Sequence, residues 1–280
     1  AVGAALASVD ARATLIETGA APVMPTNGPG LRVEFWEQKI GYLGVSSLSV
    51  TTASNIVQQV VDWEVGEGVG ILLDLRGSGG DDLAAVDSVV GLVAANGTHL
   101  YHTKDHAGEI LESHVALGSA CCRIPLVALI DPQTRDAAEV LAAVLKKQGG
   151  AMLVGQATLG DASVRRPVPL SDQLSAVIAY GKVCLGEACD YDGVGVEPDV
   201  LVDTDAMVPA IDMSSNKGPN GRLLTDKALR DRALMKRIEK DLVMRRAADI
   251  LLGLKALGEF DVEPSVDTPE VSEDVLPEDK

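Results

Sequence analysis

From Ile40 onward, short aliphatic runs alternate with longer stretches of helical spacing, and this alternation confines the chain to a layered α/β architecture rather than a bundle or a sandwich. Ile40 to Ser46 reads as a strand. Thr51 to Val65 places Ile56, Val57, Val60 and Val61 at helical spacing behind Ser and Thr caps. Val69 to Leu75 is then a buried strand. Only 3% of the residues are aromatic against 46% hydrophobic overall, so the core has to be built from Val, Leu, Ile and Ala, as parallel sheets usually are.

Arg76-Gly77-Ser78-Gly79-Gly80 interrupts the pattern, and Asp81-Asp82 stands where a helix running to about Ala95 would open. The simplest use of such a loop is a tight crossover, although its glycines also let backbone amides approach a ligand. It is not a nucleotide fingerprint, because the dinucleotide spacing and the P-loop lysine are both missing. Thr98 to Thr103 and Glu109 to Val115 read as an antiparallel pair, Pro125 to Ile130 as a buried strand, and Asp136 to Gln148 as a helix stopped by Gly149-Gly150. Ala151 to Gly155, Ser163 to Leu170, Gln173 to Cys184 and Ala188 to Tyr191 continue the sheet, which Val196 to Val200 closes.

The pattern divides the chain into an N-terminal extension (1–39), a core (40–202), a linker (203–222), a helical region (223–257) and an acidic tail (258–280) expected to be disordered. In the helical region Leu234, Ile238, Leu242, Ala248 and Leu252 form the expected apolar stripe. Ala1 to Ser8 fits either the end of a secretory signal or a plain flexible N-terminus.

A formal charge of −17 argues against nucleic acid and anionic membrane as partners. Nothing after the N-terminus approaches the run of about 18 apolar residues that a membrane span needs. Cys184 and Cys189 flank a short loop and are placed either to pair across a hairpin or to stay reduced, while the adjacent Cys121 and Cys122 are poorly placed to bridge each other. His99, His102, His106 and His114 cluster in one region. Strand parity puts His99 and His102 on opposite faces, so exposed hairpin histidines are expected and no metal or other cofactor is.

Leu73-Asp74-Leu75-Arg76-Gly77-Ser78-Gly79-Gly80, Gly155-Gln156-Ala157-Thr158-Leu159-Gly160 and Gly193-Val194-Gly195-Val196-Glu197-Pro198-Asp199 follow one another in the order of three segments of the C-terminal processing, or tail-specific, serine peptidases. The chain resembles that family over about Ile40 to Val202. The resemblance implies a crotonase-like or Clp-protease-like spiral core of mixed sheet and helices, recognition of polypeptide, and an exported, periplasmic or envelope-associated setting. A substrate-gating PDZ domain usually precedes such a core; the 1–39 segment is too short for one, so either that domain was lost or the chain is a fragment.

The family's active members use a serine nucleophile and a lysine base. Aligning Glu139 with the motif glutamate puts Asp136 in the serine slot, aligning Thr158-Leu159-Gly160 puts Asp161 in the lysine slot, and Arg165 falls where the family usually has a supporting glutamine. Aspartate supplies neither a hydroxyl to deprotonate nor a neutral amine to take the proton. By the same resemblance an oxyanion hole would use the backbone amides of Ala137 and of Gly79 or Gly80.

The leading expectation is therefore a catalytically inactive homologue that binds polypeptide or a partner protein, with Asp136 and Asp161 neutralised by Arg135, Arg165 or Arg166. The alternatives are a carboxylate dyad or metal-dependent hydrolase at those two aspartates, and a working serine-type enzyme with relocated residues drawn from Thr134, Ser163, Lys146 and Lys147.

Overall fold

The structure, a computed structural model, describes residues 10, 12–17, 30–37, 39–65, 68–161, 163–186, 189, 191–203 and 237–257. A six-stranded sheet is ordered β11-β8-β7-β4-β3-β2. Its members are β2 (Leu31–Phe35), β3 (Ile40–Val45), β4 (Gly70–Asp74), β7 (Leu126–Ile130), β8 (Met152–Gly155) and β11 (Val200–Leu201). All neighbours are parallel except β2, which runs antiparallel to β3 at the edge.

The central strands are largely aliphatic because both faces are covered. Along β4, Ile71 and Leu73 point into one core and Leu72 into the other; along β7, Ala128 and Ile130 oppose Val127 and Leu129 in the same way. The larger core is shared with α1 (Val50–Val65), α2 (Leu83–Val90) and α3 (Asp136–Lys147). The smaller core is closed by α4 (Leu242–Ala256), whose Val243, Met244, Ala247 and Leu251 pack on Leu72, Val127 and Leu129.

A second sheet joins β1 (Thr14–Glu17), β10 (Leu174–Cys184), β5 (His99–Asp105) and β6 (Ile110–Val115) in that order, with β9 (Ser163–Pro169) also paired to β10. All its pairings are antiparallel. Along one edge of β10, β5 pairs with Gly181 to Cys184 and β1 with Leu174 to Val177.

Before Ile40, β1 and β2 each join a sheet. Several expectations change. The helix expected to run to about Ala95 stops at Val90, where Gly91 lies against the backbone of Leu117 and Gly118. Tyr191 does not extend the sheet; its carbonyl closes a turn by accepting from Val194 and Gly195, while Ala188 lies outside the described residues.

The C-terminal helix breaks at Asp241, whose carboxylate accepts from the Met244 amide at 3.0 Å as an N-cap. The stripe that packs is therefore Val243, Met244, Ala247, Ala248 and Leu251, and Leu252 is exposed. The break resets the helical phase, which an unbroken 223–257 helix would have carried through. Residues 204–236, including Leu234, and the tail 258–280 lie outside the described residues. Cys184 and Cys189 are joined as a disulfide.

Candidate functional site

Two of the three motif segments converge on Glu139 in the first turn of α3. Its side chain is fully buried and accepts from the Thr158 hydroxyl, from the Gly160 amide at 2.6 Å and from the Asp161 amide at 3.0 Å. Thr158 in turn takes the Val196 amide at 2.8 Å, so the segment around Gly193 to Asp199 is laced to the loop carrying Asp161. Burial pushes the Glu139 carboxyl upward, partly offset by those three donors. Glu139 is thus a positioning group that fixes where Asp161 stands relative to α3.

Asp136 opens α3 with a φ of 53°, a left-handed conformation that a residue with a side chain enters at some cost. The turn is held from below by the glycine loop: Arg135 N–H donates to the Ser78 carbonyl at 3.0 Å and Ala137 N–H to the Gly80 carbonyl at 2.7 Å. The Ala137 amide, expected to help form an oxyanion hole, is therefore already engaged in this arrangement. Gly80 has a φ of 130°, and a Cβ there would lie 2.2 Å from the Leu48 carbonyl oxygen. Its glycine serves close backbone packing. Gly79 has room beside it, with Asp136 Oδ2 3.4 Å from where a Cβ would stand.

Asp136 and Asp161 both line the cleft, and the cation between them comes from an unexpected part of the chain. Arg12 donates through Nη2 to both carboxylate oxygens of Asp136, at 3.0 and 3.1 Å, and through Nη1 to Asp161. Arg165 completes the cluster at 3.0 Å from Asp161, 3.9 Å from Asp136 and 3.4 Å from Asp10. Arg135 reaches Asp136 at 3.4 Å. Arg166, the third expected partner, instead stacks over Tyr180. Burial opposes the charge on Asp161, yet hydrogen bonds from Ser163 and the Arg165 guanidinium outweigh it and hold the carboxyl at about 2.

Arg12 is delivered by β1. Asp10 anchors the segment by accepting from the Ala179 amide at 2.9 Å, and Thr14 to Glu17 then pair with β10. No local signal in the sequence marks Arg12; only its lone cationic character within an otherwise small and apolar N-terminal stretch could have drawn notice. Beside it lies a cavity of about 520 Å³, lined by Leu15, Leu83, Val140, Val177 and Val183 below the carboxylate pair.

Three of the four candidates for a relocated site are committed elsewhere, and only Ser163 stays at the cleft. Thr134 is fully buried and its hydroxyl donates to the Leu75 carbonyl at 2.9 Å. Lys146 binds Asp199 at 3.1 Å and Lys147 the Leu185 carbonyl, both at the far end of α3. Ser163 lines the cleft, tied to Asp161 through its amide at 2.9 Å. The histidine expectation needs correction: a register shift between His99 and Tyr101 changes the strand parity and brings the His99 and His102 rings to 6.0 Å. His114 is not an exposed hairpin histidine, because it stacks on Tyr101 and contacts Asp87 at 2.8 Å. Among the described residues, no three His, Cys, Asp or Glu side chains are grouped to hold a metal ion, and no helix is long and apolar enough to cross a membrane.

The chain is similar to known proteins in sequence and in fold. Carboxyl-terminal-processing peptidase 3 of Arabidopsis thaliana, chloroplastic, is 30% identical over 166 residues, which cover 59% of this chain and 32% of that protein. The carboxyl-terminal-processing protease of Picosynechococcus sp. is 29% identical over 165 residues, 59% of this chain and 39% of its own length. The chain thus spans between about a third and two fifths of the length of these relatives. Among solved structures, the photosystem II D1 C-terminal processing protease superposes with a TM-score of 0.53 at 26% identity, covering 68% of this chain and 48% of that one. A lipoprotein from Streptococcus agalactiae superposes with a TM-score of 0.51 at 17% identity, covering 63% and 66%, which shows the shared fold alone. Residues 39–202 match peptidase family S41, and since this match spans more than half of the chain and contains the three motif segments with Asp136 and Asp161, this chain belongs to peptidase family S41 and is a homologue of its C-terminal processing peptidases.

Proposed function

We propose that this chain is a catalytically inactive member of the family that holds polypeptide, or a partner protein, in the cleft its active relatives use for cleavage. The observation that carries the reading is the ion-pair cluster itself: the two aligned catalytic positions are carboxylates locked by Arg12 and Arg165. A carboxylate held at about 2 by its donors is a poor proton acceptor near neutrality, and Asp136 offers no hydroxyl for attack. The engagement of the Ala137 amide by Gly80 supports the same reading, since a reacting carbonyl would have to displace an existing hydrogen bond. The Cys184–Cys189 disulfide favours a setting outside a reducing cytosol, in line with export.

The decisive experiment incubates the purified chain with unfolded casein and follows it by gel and intact-mass spectrometry, alongside labelling with a serine-directed phosphonate. Neither time-dependent cleavage nor a phosphonate adduct is expected. Cleavage abolished by Ser163→Ala would instead establish a relocated serine enzyme, and cleavage abolished by Asp136→Asn a carboxylate dyad.

A further inference from the structure

We infer that the cleft is a receptor for an arginine-bearing extended polypeptide, and that Asp10 and residues 12–17 are a built-in, displaceable occupant of it. The inference deepens the reading of the chain as an inactive polypeptide-binding member and rests on it.

The seat has two parts. One is the free edge of β10 beyond the end of β5, where Thr14 to Glu17 form an antiparallel ladder with Leu174 to Val177. Backbone pairing of this kind accepts any extended segment, with specificity left to the side chains. The other is the guanidinium position. A planar fork of donors spans two carboxylates that stand on different elements, α3 and the loop before β9, and no lysine could bridge both with the same set of hydrogen bonds.

Apart from Arg12 and the contacts of Asp10 with the Ala179 amide and Arg165, the occupant is weakly seated. Thr14, Leu15 and Glu17 are exposed and Ile16 is only half-buried, so β1 removes little apolar surface from water. Among the described residues, none fills the largely apolar cavity of about 520 Å³ beside it. A core strand with a permanent structural role would be expected to fill the space it borders. A longer ligand with aliphatic side chains following its arginine would occupy both the ladder and the cavity, and would outcompete the short internal segment. The internal segment therefore acts as a competitor whose effective concentration sets how strong an external ligand must be.

The test uses the full chain and a fluorescein-labelled peptide of the segment's own sequence, Asp-Ala-Arg-Ala-Thr-Leu-Ile-Glu, together with a copy carrying citrulline in place of arginine. Citrulline keeps the shape and removes the charge. By fluorescence anisotropy at low salt, Arg12→Ala is expected to bind the arginine peptide at least about tenfold more tightly than the unaltered chain, and at least about tenfold more tightly than it binds the citrulline peptide. Arginine amide should compete for the site. Equal affinity for the two peptides, or no binding to a folded Arg12→Ala chain, overturns the inference.

If Arg12→Ala does not fold, hydrogen exchange on the unaltered chain decides. Excess arginine peptide should accelerate exchange at Thr14 to Glu17 while the citrulline peptide does not; unchanged protection with both rejects displacement. Mass analysis of the same samples separates the two readings, because cleavage of the bound peptide would refute inactivity and leave arginine recognition standing.

Discussion

Arg12 and Asp136, 124 positions apart in the chain, meet with Nη2 3.0 and 3.1 Å from the two carboxylate oxygens. This contact ties the first described segment to the turn that opens α3, and much of the site's behaviour should depend on it. Truncation by Arg12→Ala leaves two carboxylates, each only 13% exposed, with Arg165 as the main remaining counter-charge. A loss of about 1–3 kcal/mol in urea unfolding is expected, reduced for the partial exposure of Arg12. Pairing it with Asp136→Asn should recover part of that loss in a double-mutant cycle. Strict additivity would mean that the two side chains do not interact in solution.

The acid limb of stability should report Asp161. Its carboxyl is held at about 2 in the folded chain, against about 3.9 when unfolded. The stabilisation is therefore fully present above about pH 4 and lost as pH falls toward 2, on the order of 2 kcal/mol. Asp161→Asn should flatten the difference between pH 4 and 2 relative to the unaltered chain. Glu139 works in the opposite direction: its carboxyl is raised, so its contribution is present in acid and declines as pH rises through the folded value. Parallel pH profiles for the unaltered chain and Asp161→Asn would contradict the assignment.

Neighbouring glycines of the loop should respond differently to the same change. Gly80→Ala must force a Cβ into the Leu48 carbonyl and hold a positive φ, so a loss of roughly 2–4 kcal/mol or failure to fold is expected. Gly79→Ala meets only ordinary contact distances and should lose less than about 1 kcal/mol. Thermal melts of both variants decide the matter, and equal losses would show that the loop does not pack as described. Gly79 is accordingly the position at which to probe ligand approach without disturbing the fold.

The docking of α4 depends on Leu251, fully buried in the smaller core against Gly70, and on Asp241, which caps the helix and pairs with Arg76 at 2.7 Å. Leu251→Ala should destabilise by about 2–5 kcal/mol, and Asp241→Ala by about 0.5–2 kcal/mol from the cap with a further contribution from Arg76. In limited proteolysis, Leu251→Ala should expose cuts within 242–256 that the unaltered chain resists. Early cutting there in the unaltered chain would show that the helix does not dock.

Local pattern alone was enough to read the alternation of strands and helices and the glycine loop, while the assignment of Asp136 and Asp161 to the slots of a known family rests on resemblance to its motifs. Each rests on periodicity or on motif spacing within a few residues, and such signals are carried by neighbours along the chain. Even Glu139 was legible as a motif position, though not its role as acceptor for the Thr158 hydroxyl and two loop amides. Tertiary structure decided what neutralises the aspartates, because a guanidinium delivered from Arg12 leaves no trace in the spacing around residue 136. It likewise decided that β1 adds to the edge of β10, that the Ala137 amide is taken by Gly80, and that Asp241 breaks and re-phases the last helix. Ion pairs and edge pairings between distant segments depend on which surfaces folding brings together, and the cost of closing such long loops is met by the whole packed core rather than by any local preference.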